Sequence, residues 1–463
     1  MDPNNILVIA MMLTFIGLLF TGFPIALILG GVAMLFTLVG YLSDMYLGTM
    51  TGLDFMAIGM VVNRMFATMN NWIMVALPMF IFMGLMLDRS GIAEKMMHSI
   101  QALFGRVRGG LAITVTLIGI ILAASTGIIG ASVVLLGLLS LPVMLKQGYS
   151  KTLSIGTICG AGTLGILIPP SIMLVMMADR LGLSVGDLFM AALFPGLLLG
   201  TLYILYIVIL GLIKPDQAPL PADQADTKVD IWLVLKALRT CIPPVILIFT
   251  VLGSIFLGIA TPTEASGIGA LGALVLTIVN RRMNLKVLRH VVYQTFSTTA
   301  YIFAIVLGAT CFALVLRELG GDAFVEHAIT SLPLGPYGLV AVILGVVFLL
   351  GFFLDWIEIT LIILPLLAPV VPNLGLDMGH WPNIDNPSLI WFAILVAVTL
   401  QTSFLTPPVG FAIFYLRGVC PPEIELRDLY LGVIPFIILQ VIGLLLVVFW
   451  PELVLWLPSV TYQ

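Results

Sequence analysis

The sequence predicts an all-α polytopic membrane protein, and three observations carry that reading. Of its 463 residues, 61% are hydrophobic and only 9% are charged, with a mean hydropathy of +1.19. Soluble domains carry about 25% charged residues, so a water-soluble globular fold is excluded. The apolar residues come in runs of about 20, the length that crosses a ~30 Å hydrocarbon core. Those runs are too continuous for the alternating pattern of an outer-membrane barrel.

Taken in order, the runs place spans near 5–22, 24–42, 72–88, 152–181, 188–212, 242–260, 263–280, 296–316, 389–418 and 429–457. Two longer stretches, about 111–145 and 336–372, are interrupted in the middle, at Ala124-Ser125-Thr126-Gly127 and at Gly351-Phe352-Phe353-Leu354-Asp355. Each reads as two crossings or as one re-entrant hairpin, and either returns the chain to its starting side. The first run follows Met1-Asp2-Pro3-Asn4-Asn5, which lacks the basic region of a cleaved signal peptide. It is expected to be a retained span.

Charge sets the orientation. With the basic loop 281–290 placed in the cytoplasm, sixteen of the 19 Lys and Arg fall on inside segments. Only Arg64, Arg180 and Arg317 lie outside, as the positive-inside rule requires. Both termini come out external. Arg180, at an external span end, reads as a snorkelling side chain. The polar stretch 214–241 is a cytoplasmic linker, whose second part, about 231–238, has the alternative of a helix lying on the membrane.

Net charge is −4 with no long basic cluster, which excludes nucleic acid as a partner. The cysteines Cys159, Cys241, Cys311 and Cys420 lie far apart and read as packed thiols. His98, His290, His327 and His380 show no metal-ligand spacing, so no transition metal and no organic cofactor is expected. No H-E-x-x-H and no G-x-x-x-x-G-K-[ST] occurs, which argues against an intramembrane protease and an ATP-driven pump. No catalytic residue is assigned.

The two halves repeat. Leu167-Ile168-Pro169-Pro170-Ser171 sits inside one long apolar run, and Leu405-Thr406-Pro407-Pro408-Val409 sits inside another, 238 residues later. The interrupted stretches align with an offset of 223, which puts Ser132 on Asp355 and Pro142 on Pro365. By the charge argument the first hairpin opens to the cytoplasm and the second to the outside, so the repeat is inverted. Inverted repeats with broken helices are a transporter architecture. Each Pro-Pro removes two backbone donors and frees carbonyls at mid-membrane depth, where cations and half-helix dipoles become useful. A passive channel fits less well, since no ring of pore charges appears.

Several stretches then resemble one family. They are Ala76-Leu77-Pro78-Met79-Phe80-Ile81-Phe82-Met83-Gly84, Gly165-Ile166-Leu167-Ile168-Pro169-Pro170-Ser171, Ala260-Thr261-Pro262-Thr263-Glu264-Ala265, the run from Asp355 to Pro369, and Thr406-Pro407-Pro408-Val409-Gly410. Spread over nearly the whole length, they resemble the large membrane (M, or DctM-like) permease of tripartite ATP-independent periplasmic (TRAP) transporters. The resemblance implies an elevator-type sodium symporter for organic acids in the bacterial inner membrane. It also implies a small four-helix Q-type membrane subunit and a soluble periplasmic substrate-binding protein as partners. On that basis 1–71 and 242–290 are scaffold helices, while 72–213 and 291–463 are the two repeats. Sliding the repeat-derived part against the scaffold would give alternating access. A stand-alone divalent-anion/sodium symporter and a proton-coupled carrier are the alternatives.

Site residues follow from burial chemistry. A carboxylate at mid-membrane is a functional residue by default, and sodium takes hard oxygen ligands. Asp355, Thr402 and Thr406 are expected to form one cation site; Asp355 also suits the cap of the hairpin's second arm. Ser125, Thr126, Gly130, Ser132, Thr163 and Ser171 would form a symmetric site from neutral oxygens alone. Glu358, one turn beyond Asp355, departs from the family resemblance and, with Ser403 and Gly127, is a substrate or gating candidate. The organic acid would sit between the hairpin tips, held by backbone amides. Thr261-Pro262-Thr263-Glu264 reads as a helix cap.

Overall fold

In hydrocarbon there is no water to bond the peptide groups, so apolar runs have to close their hydrogen bonds within their own helices. The chain is helical throughout, with no strand among the described residues. The computed structural model describes residues 3–104, 107–127, 129–220, 231–381 and 383–461, apart from the side chains of 55, 57, 58, 123–126 and 231. Among these, ten helices are long and apolar enough to cross a bilayer. The fold is that of a multi-pass α-helical membrane protein.

Helices α1 (Pro3–Leu19) and α2 (Ile25–Leu47) come first, then α3 (Phe55–Met69), and a tight turn at Trp72–Val75 leads into α4 (Ala76–Arg89). An amphipathic α5 (Ile92–Phe104) precedes the first hairpin, α6 (Gly110–Thr126) and α7 (Ile129–Lys146). Next, α8 (Lys151–Thr163) and α9 (Ile172–Leu181) are the halves of one broken helix, followed by α10 (Val185–Ile213). Three spans then link the halves: α11 (Ile231–Phe256), α12 (Pro262–Val279) and α13 (Leu285–Glu318).

After the short α14 (Gly321–Thr330), α15 (Pro336–Leu350) is the first arm of a second hairpin. Its return arm is α16 (Trp356–Glu358), a π turn at Ile359–Ile363, α17 (Leu364–Leu367) and a 3₁₀ stretch Ala368–Leu374. The π turn coincides with Pro365, which has no N–H for the Leu361 carbonyl. A second broken helix, α18 (Pro387–Leu405) and α19 (Phe411–Arg417), leads into α20 (Leu426–Phe449) and α21 (Glu452–Thr461). Between the hairpins the chain crosses by α8–α9, α10, α11, α12 and α13. That number is odd, so the second hairpin enters from the opposite side.

One region departs from the sequence reading. Residues 231–241 were assigned to the linker or to a membrane-surface helix, yet α11 runs unbroken from Ile231 through Pro243 and Pro244. A proline pair is therefore not sufficient to break a helix here. The carbonyls those prolines leave open belong to Arg239, which is exposed, and Thr240, which is half-buried. Neither carbonyl is sealed inside the protein, so neither needs a protein donor. The Thr261 cap is present as a complete capping box: Thr261 Oγ1 accepts from the Glu264 N–H and the Glu264 carboxylate accepts from the Thr261 N–H.

Helix α12 lies along α4 and α11, and α13 lies along α2 and α4. The Phe15 and Phe312 rings, 5.2 Å apart, fasten α1 to α13. The other body surrounds α8, which packs on α6, α7 and α20. Small residues permit that enclosure, as is usual between membrane helices. Gly156 and Gly160, spaced as G-x-x-x-G, bring α8 onto Gly432 and Phe436 of α20. A Cβ at Gly156 would stand 2.1 Å from the Gly432 carbonyl oxygen.

Because backbone cannot retreat as a side chain can, Gly156→Val is expected to destabilise by at least the ~1–3 kcal/mol typical of overpacking. A thermal melt in detergent reads this as a lowered Tm. Gly30→Ala, at a position with open space around it, should leave the melt unchanged.

Candidate functional site

The two breaks lie at matching places and differ in their surroundings. In the first, α8 ends at Thr163, a 3₁₀ turn follows at Leu164–Ile166, and the Pro169-Pro170 bond is cis. Everything from Thr163 to Ile172 is buried. The Ser171 hydroxyl donates to the Ile166 carbonyl, one of the groups the missing helix leaves unpaired. In the second, α18 ends at Leu405, Pro407-Pro408 is also cis, and Gly410 turns the chain at φ +54° into α19. Here Thr406 and Pro407 are half-exposed and Pro408 is exposed. Thr406 Oγ1 donates to the Thr402 carbonyl at 2.7 Å, and Thr402 Oγ1 donates to the Val398 carbonyl at 2.9 Å. Both hydroxyl oxygens keep lone pairs for a cation.

Each hairpin tip is seated against a break. At the first tip Gly127 takes φ +60°, where an L side chain is strained, and a Cβ there would lie 3.2 Å from the Ile172 nitrogen at the start of α9. At the second, a Cβ on Gly351 would lie 2.2 Å from Ser403 Oγ. Ser403 thus packs directly beneath the tip, and its own hydroxyl donates to the Leu400 carbonyl at 2.9 Å. Asp355 caps the return arm, with Oδ1 accepting the Trp356 N–H at 2.8 Å. The cap leaves Oδ2 available.

Glu358 is fully buried, and neither carboxylate oxygen has a hydrogen-bond partner among the described residues. Its electrostatic neighbours are Asp355 and the hydroxyl of Tyr301 on α13. Tyr415 on α19 packs on the first hairpin. Its ring lies 3.1–3.3 Å from where a Cβ on Gly130 would be, and it interacts electrostatically with Asp355. Sequence reasoning singled out neither tyrosine, although a tyrosine within an apolar span is a visible polar exception.

The first-repeat candidates are more dispersed. The side chains of Ser125 and Thr126 lie outside the described residues, and Ser132 is buried in α7. Thr163 sits in a hydrogen-bonded node that the sequence reading missed. Its Oγ1 accepts from Gln401 Nε2 and from Gln440 Nε2, each at 3.4 Å, and donates to the Gly160 carbonyl. Gln440 Nε2 also donates to Tyr203 Oη at 2.9 Å. All four side chains are fully buried. Thr163 and Gln401 are 238 residues apart, the offset of the two Pro-Pro pairs, so the repeats bond each other through equivalent positions.

Arg180 is half-buried at the end of α9, with its Nε closed off from solvent. Its side chain is 21% exposed and its Nε lies 3.4 Å from Asp179 Oδ2. The span end is capped from above by the turn before α4, from which Asn71 Nδ2 donates to Asp179 Oδ1.

Residues 12–453 match the family described as "Tripartite ATP-independent periplasmic transporter, DctM component". The chain belongs to this TRAP large-permease family. It is 31% identical to the C4-dicarboxylate TRAP transporter large permease protein DctM of Pseudomonas aeruginosa, over 86% of this chain and 88% of that one. To the sialic acid TRAP transporter large permease protein SiaM of Vibrio cholerae it is 28% identical, over 96% of both. Its fold is similar to that of the YdaH transporter of Alcanivorax borkumensis, with a TM-score of 0.59 at 14% identity, covering 83% of this chain and 85% of that one. The TRAP permease is therefore a multi-pass transporter subunit and not an enzyme.

In the permease the seat of hairpin 2 on α18 is the most exacting contact of the site. Gly351→Ala is expected to push the tip off Ser403 and lower the Tm by several degrees. Adding Ser403→Gly, which removes both atoms in the way, should restore more than half of that loss. Equal loss in the single and double variants would show that the contact is slack.

Proposed function

We propose that this permease subunit drives the uptake of an organic acid by sodium symport, with an elevator-type motion of the hairpins and broken helices. Asp355, four residues past the Gly351 that is seated on Ser403 of α18, carries the reading. Its carboxylate and the hydroxyls of Thr402, Thr406 and Ser403 are hard-oxygen donors of the kind sodium takes. The equivalent first-repeat site would use Ser125, Thr126, Gly130, Ser132 and Ser171, with neutral oxygens only.

The acid itself would lie between the tips, near Gly127, Ser403 and Glu358, and meet backbone amides. The family name is that of a three-component system, which supports a separate four-helix Q-type subunit and a periplasmic binding protein as partners. It also supports residence in a bacterial inner membrane, with both termini on the periplasmic side by the charge argument. The two relatives act with a C4-dicarboxylate and with sialic acid. Both are carboxylates, which supports that substrate class and leaves its member open.

One observation favours a second reading. A fully buried carboxylate with no partner is costly unless a proton or a cation neutralises it, and Glu358 is in that position. Coupling to protons through Glu358 is the alternative.

Purified protein is melted in Na⁺ and in choline at matched ionic strength. Sodium at 100 times its Kd stabilises by about 2.7 kcal/mol, so wild type should show a clear rise in Tm that Asp355→Asn loses. If Asp355→Asn keeps the full response, Asp355 is not a sodium ligand. If wild type shows none while an imposed proton gradient drives uptake, the second reading replaces the first.

A further inference from the structure

An organic anion that leaves water for the interior of this protein has few bases to meet. Among the described residues every Lys and Arg is exposed except Lys151 and Arg180. Lys151, at the start of α8, is already engaged: it donates to the Glu423 carbonyl and pairs with Asp428 at 3.8 Å. Arg180, at the far end of α9, has far less. Its Nε is shut off from solvent and makes no hydrogen bond. Its ion-pair partner is its own chain neighbour Asp179, at 3.4 Å.

Asp179 is in turn committed elsewhere. Asn71 holds its Oδ1, and Asn71 is itself fixed, because its Oδ1 accepts the Ile73 N–H at 3.0 Å. The turn carrying Asn71 is tied to α12 by the Thr263 hydroxyl on the Trp72 carbonyl at 2.9 Å. A guanidinium presents five N–H donors in a rigid fork suited to a carboxylate. Asp179 meets that fork at one nitrogen and at long range.

Arg180 stands at the far end of α9 from the break. Arg180 lies eight residues beyond Ile172, about 12 Å along the axis from the break at 1.5 Å per residue. Helix α9 packs against the turn before α4 on one side and the return arm of hairpin 2 on the other. By the charge argument this end faces the outside.

We propose that Arg180 is the anion-selecting residue at the external end of α9, where a substrate carboxylate takes the guanidinium fork and Asp179 stays on Asn71. This rests on the reading of the chain as an importer of organic acids. Arg180 binds before translocation, and its planar fork matters as well as its charge. Lysine is therefore an incomplete substitute.

The test is modification of Arg180 by phenylglyoxal in the purified full chain, followed by peptide mapping. Succinate, pyruvate and gluconate are the probes, with uncharged dimethyl succinate and matched sodium chloride as controls. At least one acid is expected to slow modification of Arg180 threefold or more, with neither control doing so. Asp179→Asn, which removes the competing carboxylate, should strengthen the protection. In proteoliposomes holding the complete transporter, Arg180→Gln should cut initial uptake from sub-saturating acid about tenfold, with Arg180→Lys between it and wild type and all three melting alike. Equal modification rates with and without every acid overturn the proposal, as does wild-type uptake by Arg180→Gln. If wild type takes up none of the acids, the import reading falls, and protection at Arg180 alone then decides for or against an anion site.

Discussion

Every peptide group carried into the membrane has to find its hydrogen bond inside the protein, and the two broken helices are where that requirement is hardest to meet. Each Pro-Pro pair withholds two donors and leaves carbonyls open at a depth without water. The protein answers by enclosing the first break completely, from Thr163 to Ile172, and by returning a side-chain hydroxyl, Ser171, to one open carbonyl. The second break is less enclosed, with Pro408 exposed. The repeats share a backbone plan and differ in how far the break is exposed.

The rest of the architecture follows from that enclosure. A half-helix cannot be shielded by lipid, so α8 is packed on three other helices, and the approach is close because Gly156 and Gly160 present no side chain to α20. The hairpins complete the shell: Gly127 lies on the start of α9 and Gly351 lies on Ser403. A polar node then binds the two halves at their symmetric positions. Thr163 takes both glutamine amides, which leaves Gln401 Oε1 and Gln440 Oε1 without partners among the described residues. Buried acceptors of that kind cost about 1–3 kcal/mol each, so the node contributes positional specificity more than stability.

Much of this was legible in the sequence because it is written in residues that membrane spans rarely carry. Paired prolines in long apolar runs, Gly-rich interruptions and one acid at Asp355 each depart from an otherwise uniform background. The Thr261–Glu264 cap was legible for the same reason, being a local pattern with a local mechanism. What stayed hidden depends on partners distant in the chain. Pro243-Pro244 looks like the other pairs in sequence but lies at a polar helix end, where open carbonyls are tolerated. Nor does the sequence show that Asp179, beside Arg180, is held by Asn71 from more than a hundred residues away. Tyr415 meets Gly130 of the first hairpin only through the packing of α19.

The asymmetry of charge between the repeats bears on mechanism. The alignment that puts Ser132 on Asp355 makes the second hairpin acidic where the first is neutral, and Glu358 adds a second acid to the same tip. Two carboxylates one turn apart in low dielectric repel each other strongly, and among the described residues no buried base stands near to offset them. On the proposed reading, a sodium ion or a proton that enters and leaves would neutralise them. A tip stable only when occupied would then tie movement to the ion, which is what coupled transport requires. The first hairpin, with neutral oxygens, has no such repulsion to relieve. On the proposed reading the second repeat would set the coupling, and the first would contribute geometry.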